Sequence, residues 1–169
     1  LGVGFGWNLD ELRDHGVPLG RRRTMLREYL EAMRGLWTED EAEFHGEFVD
    51  FPPSWAWPKP VQEGGPKVVV GAAGNEKNFK WICRAADGWM TTPIETDAVA
   101  GIGELRRMWD AAGRSGKPYT VILDGKPDSA NHEKWRLAEV DEVVYGTPDA
   151  SEDEVLAYLD RLAVKLGLT

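Results

Sequence analysis

The apolar positions of this chain alternate between short β-rich runs and longer segments with helical spacing. The runs lie near residues 2–5, 67–71, 88–92, 119–124 and 142–146, and a helical pattern follows each of them. Regular alternation of strand and helix predicts an α/β fold with parallel strands and right-handed crossovers. Five such units can form an open doubly wound sheet or the larger part of a (β/α)8 barrel, which usually takes about 250 residues.

The helical segments differ in the strength of their patterns. Across residues 21–37 the apolar side chains recur at every third and fourth position, which predicts a strongly amphipathic helix. Less complete patterns predict helices at 97–113 and 131–140. Ser151, followed three residues later by Glu154, has the sequence of a capping box, so the last helix is expected to begin there.

Residues 38–62 interrupt the alternation. Aromatic and β-branched residues between Phe44 and Phe51 predict a short hairpin, and the following segment to Pro60 is too rich in proline for a helix or a sheet interior. A long excursion of this kind is usually a lid or an interface, and surface packing by its two tryptophans is the alternative. We predict a single domain over residues 1–169 that includes this excursion loop.

Composition narrows the classes of partner and compartment. The chain has 169 residues, 42% of them hydrophobic, and a net charge of −9, which argues against nucleic acid or an anionic membrane as its main partner. No stretch approaches the roughly 18 consecutive apolar residues of a membrane span. A single cysteine excludes an internal disulfide, so the expected location is the cytoplasm.

The stretch from Pro66 to Asn75 is the main candidate for ligand binding. Val68 to Val70 form an apolar run typical of a buried parallel strand, and Asn75 is placed to cap a helix over residues 76–86. Between them the loop has almost no side chains, so backbone N–H groups and the positive end of the helix can reach an anion. The residues of this loop are Gly71, Ala72, Ala73 and Gly74. Tight turns that bind nothing also use such residues.

Several spaced motifs together resemble the luciferase-like flavin and deazaflavin oxidoreductases, in particular members that use coenzyme F420. The matching residues are Leu1 to Trp7, Glu11, Gly16, Arg22, Glu28, Leu36-Trp37-Thr38, Phe44, Gly46, Trp57 to Gln62, Val70-Gly71 and Ala86 to Met90. The resemblance implies a partial (β/α)8 TIM barrel that contains strands four to eight with their helices. On this basis the chain is expected to be a truncated, C-terminal portion of a barrel.

The resemblance also implies roles for individual residues. It places three residues after the first strand beside the cofactor, and these are Phe5, Gly6 and Trp7. It implies that the loop from Gly71 to Asn75 holds the cofactor phosphate, with hydroxyl donors from Thr91 and Thr92 unless these two only end a strand. Some flavin-using relatives carry arginine for the phosphate at the Phe5 position, so phenylalanine there either favours the deazaflavin or leaves phosphate binding to the helix. A buried ion pair among Glu11, Arg22 and Glu28 is expected to fix the loop after the first strand.

The function that the resemblance implies is hydride transfer between coenzyme F420 and an unknown organic substrate. One alternative is a monooxygenase of the same fold that uses reduced FMN. Another is a truncated, non-catalytic half-barrel that self-associates, because residues 2–5 and 142–146 would otherwise be left as unpaired sheet edges. A homo-oligomer is therefore expected. The three histidines lie on different segments, so no metal site is predicted, and no catalytic residue is named.

Overall fold

The computed structural model of the protein describes residues 1–94, 97–125 and 127–168. Within it the chain divides into two compact units, Leu1–Val68 and Val69–Thr169. Each of the five predicted strand positions contains a strand, and a helix follows every one of them. The predicted alternation is therefore confirmed.

The first unit is built around one long helix. Its elements are β1 (Gly2–Gly4), α1 (Leu9–Asp14), α2 (Arg22–Thr38), β2 (Ala42–His45) and β3 (Asp50–Ser54). The bounds of α2 lie within one residue of the predicted helix, and its apolar stripe buries Leu30 and Ala32. The amphipathic pattern thus located the helix and its buried face.

The excursion forms an antiparallel ribbon of β2 and β3, as the hairpin prediction proposed. The N–H of Gly46 donates to the carbonyl oxygen of Val49 at 2.8 Å and closes the turn. Strand β3 extends through Pro52 and Pro53, further than the predicted hairpin. Both strands of a two-stranded ribbon are edge strands. Each proline can therefore lie at a position whose N–H would form no hydrogen bond with the partner strand.

The second unit repeats strand and helix four times. Its elements are β4 (Val69–Gly71), α3 (Glu76–Ala85), β5 (Gly88–Thr91), α4 (Ala98–Ala111), β6 (Tyr119–Asp124), α5 (Ser129–Leu137), β7 (Glu142–Tyr145) and α6 (Glu152–Leu166). The four strands lie in the order β4-β5-β6-β7 and every neighbouring pair is parallel. The weakest predicted helix, at 131–140, begins two residues earlier, because Asp128 caps it by accepting from the N–H of Ala130 at 2.7 Å.

The two faces of this sheet differ in burial. On the helix side Trp89 packs edge-to-face on Phe79 of α3, with ring centroids 5.0 Å apart, and Ile122 is fully buried. Side chains alternate along a strand, so Leu123 and Val144 point to the opposite face, where they are 36% and 48% exposed. Within the described residues β7 pairs with β6 alone. No helix of the described chain combines the length and apolar composition needed to span a membrane.

Candidate functional site

The loop between β4 and α3 is held by two asparagines. The side chain of Asn75 accepts a hydrogen bond from the N–H of Asn78 at 3.0 Å, which confirms the predicted N-cap. The buried Asn78 in turn donates through Nδ2 to the carbonyl oxygen of Ala73 at 2.8 Å. The loop is therefore fixed against the first turn of the helix. Sequence reasoning missed Asn78, whose only signal was a polar residue next to the apolar stripe of α3.

The first turn of α3 retains free hydrogen-bond donors. Among the described residues, no acceptor is bonded to the N–H groups of Glu76 and Lys77, as expected for the first residues of a helix. The carboxylate of Glu76 would oppose an anion, but it forms an ion pair with Lys80 at 2.6 Å. The helix end can therefore attract an anion through its N–H groups and dipole.

A tryptophan from the neighbouring strand also fixes this loop. The indole Nε1 of Trp89 donates to the carbonyl oxygen of Ala72 at 2.8 Å, and the N–H of Ala72 approaches the carbonyl oxygen of Met90 at 3.4 Å. Trp89 is almost completely buried, so the loop position is coupled to the core of the second unit. The sequence contained Trp89 in a matched motif but provided no indication of this contact.

Thr91 and Thr92 lie at the same sheet edge as the glycine-containing loop. Gly71 pairs with Met90, so Ala72 and Thr91 come next to each other where β4 and β5 end. Thr91 is buried on the helix side of the sheet, and its hydroxyl lies 3.4 Å from the carbonyl oxygen of Thr92, a long hydrogen bond. Thr92 is half-buried. Their role as donors to an anion stays a prediction.

The three predicted site residues of the first unit have different surroundings. Phe5 is buried and Gly6 adopts a φ of +75°, a left-handed conformation that glycine tolerates without strain. Both line a cavity of about 240 Å³. Trp7 is 89% exposed and does not line this cavity. The structure therefore groups Phe5 with Gly6 and leaves Trp7 apart from them.

Position 5 is a phenylalanine, but an arginine from another part of the chain lies beside it. The guanidinium of Arg23 lies over the ring of Phe5, 4.0 Å from its centroid. Burial, and to a lesser extent the charge of Arg22, lower the pKa of Arg23 below its usual value. Because a guanidinium is supplied from α2, the absence of arginine at position 5 is weaker support for the deazaflavin than the sequence suggested.

The predicted ion pair among Glu11, Arg22 and Glu28 is wrong. Glu11 is exposed, and among the described residues Glu28 forms no ion pair with Arg22. The buried carboxylate of Glu28 instead accepts from the N–H of Phe48 at 2.7 Å. Glu28 therefore ties α2 to the turn of the ribbon. Motif spacing cannot reveal a side chain whose partner is a backbone amide twenty residues away.

Replacing Glu28 with alanine is expected to lower the free energy of unfolding by about 1–2 kcal/mol, because the N–H of Phe48 loses its acceptor in a half-buried turn. Glu31→Ala is the matched control on the same helix. Glu31 is half-exposed and pairs with Arg27 at 3.4 Å, so its loss should cost less than about 0.5 kcal/mol. Urea denaturation of both variants measures the difference, and equal midpoints would contradict the role given to Glu28.

A family model described as luciferase-like monooxygenase matches residues 1–164 of this chain. A protein of Mycobacterium tuberculosis, described as uncharacterized, is 61% identical over 167 residues, which are 99% of this chain and 59% of that protein. An FMNH2-dependent dimethylsulfone monooxygenase of Pseudomonas putida is 28% identical over 144 residues, covering 83% of this chain and 39% of the enzyme. The chain thus spans only part of the length of these relatives.

The fold is shared with solved structures. An F420-dependent secondary alcohol dehydrogenase in complex with an F420-acetone adduct superposes with a TM-score of 0.59 at 17% identity, covering 98% of this chain and 60% of the dehydrogenase. The α/β fold with parallel strands is that of part of a (β/α)8 barrel, as predicted. The chain belongs to the luciferase-like monooxygenase family.

Proposed function

We propose that this chain forms the cofactor-binding part of an F420-dependent oxidoreductase that transfers hydride between coenzyme F420 and a small organic substrate. The observation that supports this most directly is the open N-terminus of α3, which follows β4 at the carboxyl edge of the sheet. Ligands of barrel enzymes bind at that edge. The substrate and the activity of the whole protein are part of the proposal.

The residues at this helix end fit the phosphate of such a cofactor. The loop side chains are no larger than alanine until Asn75, and the N–H groups of Glu76 and Lys77 have no acceptor among the described residues. Backbone donors at a helix N-terminus are well suited to phosphate. The loop from Gly71 to Asn75 would hold the phosphate, and Thr91 and Thr92 would lie beside it. The bound deazaflavin would supply the hydride, while the protein orients it and excludes water.

A monooxygenase that uses reduced FMN is the second candidate. It is favoured by the Pseudomonas putida FMNH2-dependent enzyme, whose similarity extends over 83% of this chain. The F420-dependent dehydrogenase supports the first candidate through its fold alone. Phe5 favours the deazaflavin by resemblance, although Arg23 lies over its ring. Both cofactors would place a phosphate at α3, so this site alone does not distinguish the two candidate functions. The measurement that distinguishes them is which cofactor binds more tightly.

Titration of the chain with coenzyme F420 and with FMN tests the proposal. The chain has eight tryptophans, and Trp89 contacts the loop directly, so we expect tryptophan fluorescence to change on binding. Equilibrium dialysis of each cofactor gives an independent dissociation constant. Tighter binding of F420 would support the first candidate, and tighter binding of FMN would favour the second. Failure of both cofactors to bind would contradict the proposed site.

We also propose that the chain self-associates through the open side of its parallel sheet, and that it works in a reducing cytoplasm as a single domain. Leu123 and Val144 are partly exposed on one face of the sheet, and β7 presents an edge whose described residues pair only with β6. Cys83 is buried and forms no disulfide. If the chain is a non-catalytic half-barrel, this association would be its main property.

Val144→Glu is expected to weaken self-association, because it places a charge on the open sheet face. Val164→Glu is the control, since Val164 is 70% exposed on α6. Sedimentation velocity over a range of concentrations would show an oligomer for the native chain and the control and a monomer for Val144→Glu. A native chain that stays a compact monomer at every concentration would contradict this association.

A further inference from the structure

A cavity in the first unit lies between the end of β1, α1 and the start of α2. Its volume is about 240 Å³, and its walls are almost entirely apolar, with side chains from Phe5, Leu12, Met25 and Leu26. Among the described residues, Arg22, the first residue of α2, is the one charged side chain that lines it. An apolar cavity with a single cation in its wall has the composition of a small-molecule site with one polar anchor.

The guanidinium of Arg22, a residue that lines the cavity, has a donor without a partner among the described residues. Its Nε is buried and has no hydrogen-bond partner among the described residues. Nη1 reaches the carbonyl oxygen of Leu19 only at 3.5 Å. Within the described chain no carboxylate lies within ion-pair distance of Arg22. Nε and Nη2 form the edge of a guanidinium that binds a carboxylate through two parallel hydrogen bonds, and neither atom has a hydrogen-bond partner among the described residues.

The surroundings strengthen the attraction for an anion. The first turn of α2 contains no acidic residue, and Arg21 at the N-cap gives the helix no side-chain cap. Arg21 is itself paired with Glu47 at 2.5 Å, whereas Arg22 lacks such a partner among the described residues. The positive end of a seventeen-residue helix therefore adds to the charge of Arg22. Apolar walls exclude water and so increase the attraction between this cation and an anion.

We propose that this cavity binds a small carboxylic acid as its anion, with the carboxylate on Arg22 and an apolar body among Phe5, Leu12 and Leu26. A buried donor without an acceptor is costly, and a carboxylate would remove that cost while its apolar part fills the cavity. Inorganic phosphate would complement the positive charge of Arg22, but it has no apolar part to contact the apolar walls of the cavity. Every lining residue belongs to the first unit, and none of them belongs to the loop from Gly71 to Asn75 that is proposed to hold the cofactor phosphate.

Isothermal titration of the full 169-residue chain with benzoate tests this site. We expect benzoate to bind and benzamide, which keeps the ring but lacks the charge, to bind at least about tenfold more weakly. Arg22→Gln should weaken benzoate binding by a similar factor, and Arg22→Lys should also weaken it because lysine cannot present two parallel donors. Arg27→Gln is the control: Arg27 lies on the same helix, is half-exposed and pairs with Glu31.

Val17→Phe provides a variant that leaves Arg22 unchanged. Val17 lines the cavity, so the larger ring should occupy the space of the ligand and abolish benzoate binding. Urea denaturation verifies that each variant is folded, and titration with F420 shows whether α3 is affected. The proposal is overturned if benzoate fails to bind the native chain, or if it binds Arg22→Gln and the native chain with equal affinity.

Discussion

Replacing Gly88 with alanine is expected to lower the free energy of unfolding by about 3 kcal/mol or more, because there is no room for a methyl group. A Cβ at this position would lie 1.9 Å from the backbone carbonyl oxygen of Tyr119 on the neighbouring strand. Gly88 pairs with Tyr119 in the parallel register of β5 and β6, and the N–H of Tyr119 donates to the carbonyl oxygen of Asp87 at 2.9 Å. Since the obstacle is backbone, the two strands would have to separate.

Gly103→Ala is the matched control for this substitution. Gly103 lies in α4, and apart from its chain neighbours and the nearby backbone of its own helix, no atom of the described residues lies within 4 Å of the place that an added methyl group would take. Alanine should therefore stabilise the helix by up to about 1 kcal/mol. Urea denaturation of both variants, followed by the circular dichroism of the tryptophans, measures the loss of stability in Gly88→Ala and the gain in Gly103→Ala. A Gly88→Ala protein as stable as the native chain would show that β5 and β6 do not approach as closely as described.

Ala73→Glu is expected to lower the affinity of the chain for the proposed phosphate-containing cofactor about a hundredfold, because a carboxylate would stand beside the site proposed for the phosphate. Ala73 is exposed, and its contribution to the loop is the carbonyl oxygen that accepts from Asn78. The substitution keeps that backbone contact, so the loop should retain its shape. Equilibrium dialysis with F420 and with FMN measures the loss.

Ala73→Gln separates charge from size in this experiment. Glutamine has nearly the same shape as glutamate but no charge, so it should reduce cofactor affinity much less. A similar loss in both variants would indicate that bulk alone blocks the loop. Unchanged affinity in Ala73→Glu would place the cofactor phosphate elsewhere and contradict the assignment to the N-terminus of α3.

Some features of the chain follow from residues close together in the sequence. Asn75 caps α3 as predicted, and the N–H of Ser151 donates to the carboxylate of Glu154 at 3.1 Å where α6 begins. The apolar stripe of residues 21–37 located α2 and its buried face. These predictions succeeded because a helix cap and a helical stripe depend on neighbours within one or two turns.

Part of the candidate site could also be predicted from the sequence. Small residues between a strand and a helix cap leave the N–H groups at the start of the helix uncovered, and this depends little on the rest of the fold. The loop from Gly71 to Asn75 and the order of strands and helices could therefore be predicted. Phe5, Gly6 and Trp7 were predicted to lie beside the cofactor, and this stays a prediction; the structure adds that Phe5 is buried and Trp7 is exposed.

Only the tertiary structure determined which partners the polar side chains have. Glu28 bonds to the amide of Phe48 and not to Arg22, whose Nε has no hydrogen-bond partner among the described residues. Trp89 holds the carbonyl oxygen of Ala72, although seventeen residues separate them. Each of these contacts joins segments distant in the sequence, and the geometry of a long-range contact depends on how whole elements pack. Local patterns specify the elements and their caps, while packing decides which charges are satisfied and which remain available to a ligand.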